Sequence, residues 1–592
     1  MYFTLTKRPL YRNALFIFTA VLFFSCQKEL SIENGASIQL PDLKTKVSSS
    51  VSGFVTDEND AALMGATVQF GTTNITTDKY GYFEAKNVQV VKNAAFVTVT
   101  KPGYFKGIKT YMAKEGKAAF FRIKLIPKTN VGNINGTSGG SVTLTNGLGI
   151  ALPSGAVVNA ATNAAYTGTV NVAAYWINPE AADLNSIMPG DLRGIDKNGS
   201  MKLLQTFGMA AVELTGASGE LLQIAPGKKA TLTLTIPASL AASAPASIPL
   251  WYFDETKGLW KEEGNAVKTG NTYVGDVNHF SFWNYDVPGN FVQFDCTLKD
   301  VAGNPLPFMN VLISIVGTNN SRWGYTNSSG YVGGLVPANT QLLMEAFANL
   351  QCFTPIYSQA FTTTNSNISL GDLTVVNSPI ATVSGSLTNC SNQAVTNGCV
   401  IMLANYNYYR YDVNSSGNFI FNTIVCGGSA VVDLIGVDIS TLQEGYMLNY
   451  NLVSGNNIAN IQACGASTQE FVNYSVNGIP FTIIPPGGQI SEYDSIANNS
   501  RDIYAYVSNT VYTHFGISNL NIGTGSVQDL IFFQSPQTGL PTIIPTPISV
   551  NITEYGSIGQ FISGNFSGIV TGSTPPNTTY NIICSFRYRR AF

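Results

Sequence analysis

Short runs of alternating apolar and polar residues recur from Val51 onward, set between clusters of Gly, Pro and Asn. Ala66–Phe70 and Thr231–Ile236 are typical. A period of two is that of a strand with one face buried, and helical periodicity of any length is scarce. Many short strands between turn residues predict sandwiches. A chain of 592 residues also exceeds what one core of ~250–300 residues can organise. The fold class expected is therefore all-β, a string of about five β-sandwich domains spanning 51–128, 130–288, 290–378, 380–468 and 470–592. No lysine follows Lys299, a compositional shift that supports the boundary near 290.

The N-terminus follows a different pattern. The apolar run Ala14–Phe24 comes after Lys7, Arg8 and Arg12. It falls short of the ~20 residues that cross a bilayer, and a basic head with a short apolar core reads as an export signal. The run ends in Phe24-Ser25-Cys26, which resembles a bacterial lipoprotein signal. That resemblance implies a signal peptide over 1–25, cleavage before Cys26 and acylation of its thiol, with 26–50 as a tether. Gln27-Lys28-Glu29 resembles the export tag of Bacteroidota lipoproteins. It implies an outer-membrane protein at the cell surface, with the membrane as partner through the lipid on Cys26.

Three stretches share a pattern. The first holds Ser52-Gly53-Phe54-Val55-Thr56-Asp57, then Thr77-Asp78-Lys79-Tyr80-Gly81-Tyr82-Phe83 and Val97–Tyr104. It resembles the carboxypeptidase regulatory-like domain, which implies a seven-stranded prealbumin-like sandwich. Gly81 suits a turn that needs positive φ, and Phe83 would begin an inward face. Asn327-Ser328-Ser329-Gly330-Tyr331 and Asn414-Ser415-Ser416-Gly417-Asn418-Phe419 mark a second and third copy, an internal repeat. The unit at 130–288 is different, with Leu152-Pro153-Ser154-Gly155, Leu250-Trp251-Tyr252-Phe253-Asp254 and His279-Phe280-Ser281-Phe282-Trp283-Asn284. It resembles the extracellular region of cartilage intermediate layer proteins and, more distantly, ZU5 domains. The resemblance implies a β-sandwich for protein contacts without enzyme activity on outside substrates. The last unit alternates at Val550–Gly556 and Ile562–Gly568, and resembles C-terminal domains of Bacteroidota lipoproteins. The terminal Phe592 is read as part of a sandwich edge, since a membrane barrel needs many such strands.

Charge narrows the partners. Charged residues make up 11% of the chain and the net charge is −3, so no basic face is left to neutralise phosphates and nucleic acid is not expected as a partner. Seven cysteines follow Cys26, all beyond residue 290, in an export setting that permits disulfides. Cys296 with Cys352 is one expected bridge. Cys390, Cys399, Cys426 and Cys464 allow three pairings within one domain, and Cys584 is left buried or free.

Candidate chemistry is thin. A zinc carboxypeptidase needs His-x-x-Glu and a further His. The chain has only His279 and His514, followed three residues later by Phe282 and Ile517, so no metal site and no cofactor are expected. No Gly-x-Ser-x-Gly elbow fits a hydrolase. Gly227-Lys228-Lys229 lacks phosphate-loop spacing, and the acidic turn Asp57–Asp60 lacks the ligand series of a calcium loop. His279-Phe280-Ser281 resembles the self-cleavage site of some ZU5-type domains. There Ser281 would attack the Phe280 carbonyl while His279 takes the proton; the other reading makes them a strand end with core aromatics. Tyr406, Tyr408, Tyr409 and Tyr411 alternate on one strand and are candidates for stacking on sugar rings, with plain strand packing as the alternative. Asp494-Ser495-Ile496 resembles a Bacteroidota O-glycosylation sequon. Together these features point to a lipid-anchored, non-catalytic rod that holds a surface out to glycan or protein. Self-cleavage and service to a nutrient-uptake complex are the alternatives.

Overall fold

The computed structural model describes residues 41–590 apart from 319, 351–353, 377–378, 466–469, 484–488, 496–499, 509–510, 519–522, 524, 540–541, 557–560 and 573–576. Cys26, Cys352, Ile496 and Phe592 lie outside the described residues. The chain is nearly all β. Its first unit has seven strands: β1 (Lys46–Thr56), β2 (Thr67–Phe70), β3 (Thr73–Thr76), β4 (Tyr82–Val91), β5 (Ala95–Thr100), β6 (Gly107–Tyr111) and β7 (Ala118–Lys124). They form two sheets in the orders β4-β1-β7 and β3-β2-β5-β6, with β1 and β7 parallel. The inward residues Val51, Val55, Val68, Phe70, Phe83, Val97 and Val99 fill the space between the sheets. Strand β1 begins at Lys46, inside the stretch read as tether, because Lys46 to Ser49 pair with Val91 to Val88 of β4.

The unit beginning at Phe291–Lys299 and the unit beginning at Ile380–Asn389 repeat this strand order, first strand parallel to seventh. In the last copy the seventh strand is split into Gly455–Ile458 and Ile461–Ala463. One turn explains the repetition. Asp78, Asn327 and Asn414 each accept two backbone N–H bonds through Oδ1, from the residues two and four positions on. The next turn residue that matters is Gly81, Gly330 or Gly417, at φ of 73°, 72° and 73°. Each accepts a hydrogen bond from the first strand at Val55, Leu298 or Leu387. A Cβ at Gly330 would stand 2.5 Å from the Leu298 carbonyl oxygen, in a backbone region that costs other residues ~1–2 kcal/mol before any clash. Gly330→Ala is expected to lower the melting temperature of its unit, whereas Gly303→Ala, at φ 83° with open space around it, should carry only the conformational part.

Residues 130–289 form one hydrogen-bonded network of thirteen strands. It folds over a core that includes Trp283, Tyr273, Tyr285 and Phe207. A second apolar layer, with Trp251, Trp260, Phe253 and Phe282, takes in Phe105, Ile108 and Ile126 of the first unit. The last unit is a nine-stranded antiparallel sheet curled around a single core with Phe515, Phe533, Phe566, Phe586 and Tyr588.

The units follow one another in sequence, but the first four do not extend as the expected rod. Phe54 and Phe120 of the first unit and Phe308 and Leu350 of the third lie in the same apolar cluster as the core of the fourth. Packing these aromatic residues against each other removes their apolar surface from water, which favours the closed arrangement.

The cysteine expectations are corrected in part. Cys390 pairs with Cys464, one of the pairings left open. Cys426 is also in a disulfide, but Cys399 is free and buried, so these two do not pair with each other and only one bridge joins members of the four. Cys296 is free too: it points into its own sandwich, with Sγ 3.9 Å from Met344 Sδ, and burial pushes its thiol up to about 12. Cys584 is free and buried.

Candidate functional site

The tyrosine strand of the fourth unit lies at the joint between sandwiches. Tyr406 occupies the preceding turn at φ 60° and is 90% exposed. Tyr409 and Tyr411 are buried. Phe308 of the third unit sits 6.1 and 5.7 Å from their rings, and Tyr411 stacks on Phe421 at 3.7 Å. Tyr408 turns to the opposite face, where it meets Tyr80 at 5.3 Å and Phe54 at 6.4 Å. The four therefore share no exposed platform: the opposite sheet of the same sandwich, with Phe308, covers one face of their strand and the first unit covers the other. Arg122 binds the joint together. Its guanidinium lies 5.0 to 5.8 Å from the rings of Tyr409, Phe54, Phe120 and Tyr325 and donates to the Tyr408 carbonyl. On the rim, Glu444 accepts from Lys79 at 2.5 Å and from the Tyr80 hydroxyl at 3.0 Å.

His279, Phe280 and Ser281 precede the strand Phe282–Gly289. The His279 ring packs edge-on to Tyr252 at 4.7 Å, and burial lowers its pKa. Gln223 clamps Phe280 from both sides, accepting from its N–H at 2.7 Å and donating to its carbonyl at 3.1 Å. The Ser281 hydroxyl donates to the Phe282 carbonyl at 3.1 Å. Attack on Phe280 would require this hydroxyl to turn away from that acceptor. Purified chain is expected to run as one full-length band on a denaturing gel, and Ser281→Ala should leave the pattern unchanged; fragments parting near residue 280 in the wild type alone would be the opposite result.

A cavity of about 480 Å³ lies where the first, second and third units meet, and it reaches into the third sandwich. Lys109, Lys114, Lys117, Arg122 and Arg322 line it, against the carboxylates Asp191 and Asp295. Both carboxylates already have cations, Asp191 from Arg193 and Asp295 from Lys114. Lys109 is buried and donates to the carbonyls of Asn185 and Met188 at 2.7 and 2.6 Å; burial pushes its amine down to about 7. Arg322 donates through Nη1 to the Ser321 carbonyl, while its buried Nε has no partner. The carboxyl that acts on Arg322 is Asp286, whose full burial pushes it well up toward the neutral acid.

The last unit carries an aromatic outer face. Its strands Gln489–Ser495, Ser500–Ser508, Val511–Ser518 and Val527–Gln534 are neighbours. Ile503, Ala505, Phe515 and Phe533 turn inward. Tyr504 meets Tyr506, Tyr512 and His514 at 6.0, 6.3 and 5.7 Å, and His514 meets Phe532 at 4.7 Å. Tyr493 stands 56% exposed beside them. The sequence reading missed this face, although Tyr504-x-Tyr506 and Tyr512-x-His514 show the alternation of one strand face. Among the described residues no three His, Cys, Asp or Glu side chains gather where they could hold a metal ion.

No family model matches the chain. It is 30% identical over 207 residues to cartilage intermediate layer protein 2 of Homo sapiens, a match covering 30% of this chain and 18% of that protein. The Mus musculus protein of the same name is 31% identical over 106 residues, covering 18% of this chain and 9% of that one. The chain thus spans less than a fifth of the length of the curated relatives it matches. Among solved structures, the shaft pilin SpaA from Lactobacillus rhamnosus GG matches 30% of this chain and 98% of its own, at 9% identity and a TM-score of 0.18. The Bacillus anthracis TIE protein matches 65% of this chain and 71% of its own, at 8% identity and a TM-score of 0.14.

Proposed function

We propose that the chain is a non-catalytic binding scaffold of the cell envelope, anchored through a lipid on Cys26, whose last unit contacts glycan. The observation that carries the reading is the outer face of that unit, where Tyr493, Tyr504, Tyr506, Tyr512, His514 and Phe532 adjoin. Aromatic rings with polar tips offer a sugar an apolar surface and hydrogen bonds together. The interlocked first four units supply a stiff base for it. The similarity to cartilage intermediate layer protein 2 supports a structural role more than an enzymatic one. A glycan array probed with the full chain is expected to show saccharides bound above background, with the signal lost in Tyr504→Ala and Tyr512→Ala. No bound sugar would overturn the glycan reading and leave protein contact. Cys26→Ser is expected to move the chain from the membrane to the soluble fraction; an unchanged distribution would remove the anchor.

A further inference from the structure

The three copies of the seven-stranded sandwich differ at one place in their interiors. Six residues before the turn glycine, on the third strand, stand Ile75, Gly324 and Tyr411; four residues after it, on the fourth strand, stand Ala85, Gly334 and Phe421. In the fourth unit the two rings at these positions stack across the sandwich. In the third unit both are glycine, and the space that a ring pair fills in its sister is the inner end of the cavity. A Cβ at Gly334 would meet no atom within 4 Å, and one at Gly324 would find its nearest neighbour, Val332, at 3.5 Å. Eight residues before the turn glycine, where the fourth unit has the buried ring of Tyr409, the third has Arg322. The copy thus lacks the stacked pair of rings and has, in place of a third ring, a guanidinium whose Nε is buried without a partner.

We propose that this cavity is a binding site for a small planar organic anion, an aromatic or conjugated carboxylate. The slot left by the missing ring pair takes a flat apolar body. Of the five basic side chains, Lys114 is taken up by Asp295 and Lys109 by two backbone carbonyls. Lys117, Arg122 and Arg322 remain without a carboxylate from the lining, so the site has positive charge to spare, and Arg322 is placed to meet the carboxylate. An unpartnered buried donor is costly until a ligand accepts from it. The cavity is lined by the first three units alone and shares no residue with the aromatic face of the last unit.

The test uses 2-naphthoate titrated into the full chain in detergent, followed by calorimetry, with 2-naphthalenemethanol as the neutral comparison. One 2-naphthoate per chain is expected, with the alcohol binding at least tenfold more weakly. Gly334→Phe, which restores the sister's ring, should abolish binding while keeping or raising the melting temperature. Arg322→Met should weaken 2-naphthoate at least tenfold and leave the alcohol unchanged. Should Gly334→Phe not fold, Gly334→Leu serves in its place. Absence of saturable 2-naphthoate binding, equal affinity for the alcohol, or binding that survives in both the filled-cavity and Arg322→Met variants would overturn the proposal.

Discussion

Truncating Phe308 to alanine is expected to cost about 3–5 kcal/mol, the range for removing a buried phenylalanine, and to cost it in an unusual place. Phe308 belongs in sequence to the third unit, but that unit's own core of Val292, Phe294, Leu298, Leu306 and Met309 does not include it. Its ring lies 4.9 Å from Phe120 of the first unit and near Tyr409 and Tyr411 of the fourth. The loss therefore falls on the association of three sandwiches and spares the interior of each. In calorimetry, Phe308→Ala should split a cooperative transition into separate steps, because two-state behaviour holds only while the units unfold together. Met309→Ala, a substitution inside one core, should lower stability without that splitting. A single lowered transition for both variants would contradict the shared joint.

The second large effect lies in the last unit. Arg501 donates to Glu492 at 2.7 Å, with both side chains almost wholly buried, and the Tyr588 hydroxyl donates to the same carboxylate oxygen at 3.1 Å. Removing one member of a buried pair strands the other charge, at about 3–5 kcal/mol. Glu492→Leu is expected to fall in that range by chemical denaturation. Replacing both, as Glu492→Leu with Arg501→Met, removes the stranded charge as well and is expected to recover most of the loss. A double variant as unstable as the sum of the singles would show that the two side chains act independently.

The elements written most plainly in the chain were turns. Asp78, Asn327 and Asn414 with their following glycines are legible because a side-chain oxygen and a positive φ are local requirements, met by few residue types. Strand alternation was legible for the same reason. What covers a strand's second face is not local. Tyr409 and Tyr411 alternate as an exposed binding face would, but they turn into their own sandwich, where Tyr411 stacks on Phe421 and Phe308 of another unit packs on both. Tyr408, on the other face, is covered by Phe54 and Tyr80 of the first unit. Cys296 illustrates a signal that was present and overlooked. Four residues before the turn residues Asp57, Asp300 and Asn389 stand Gly53, Cys296 and Gly385. In the outer copies a Cβ there would stand 2.2 Å from the Phe121 carbonyl oxygen or 1.8 Å from that of Ala459, and would also press on the ring of Phe83 or Phe419. In the third copy the register against the seventh strand shifts between Asp295 and Cys296. It also has Val332 in place of that ring, and Cys296 is buried with its thiol inward. Counting along the three copies would have placed Cys296 in the core and away from any bridge. The same count exposes Gly324 and Gly334, so the cavity too was latent in the repeat.

Coupling by a zero-length carbodiimide, which joins an ammonium only to a carboxylate already in contact with it, tests most directly whether the first, third and fourth sandwiches close on one another. Lys114 pairs with Asp295, 181 residues away, and Lys79 with Glu444, 365 residues away. Mass spectrometry of the digested product is expected to find both isopeptides. Couplings confined to single units, with none joining the first unit to the third or the fourth, would mean that the sandwiches stand apart and share no interior.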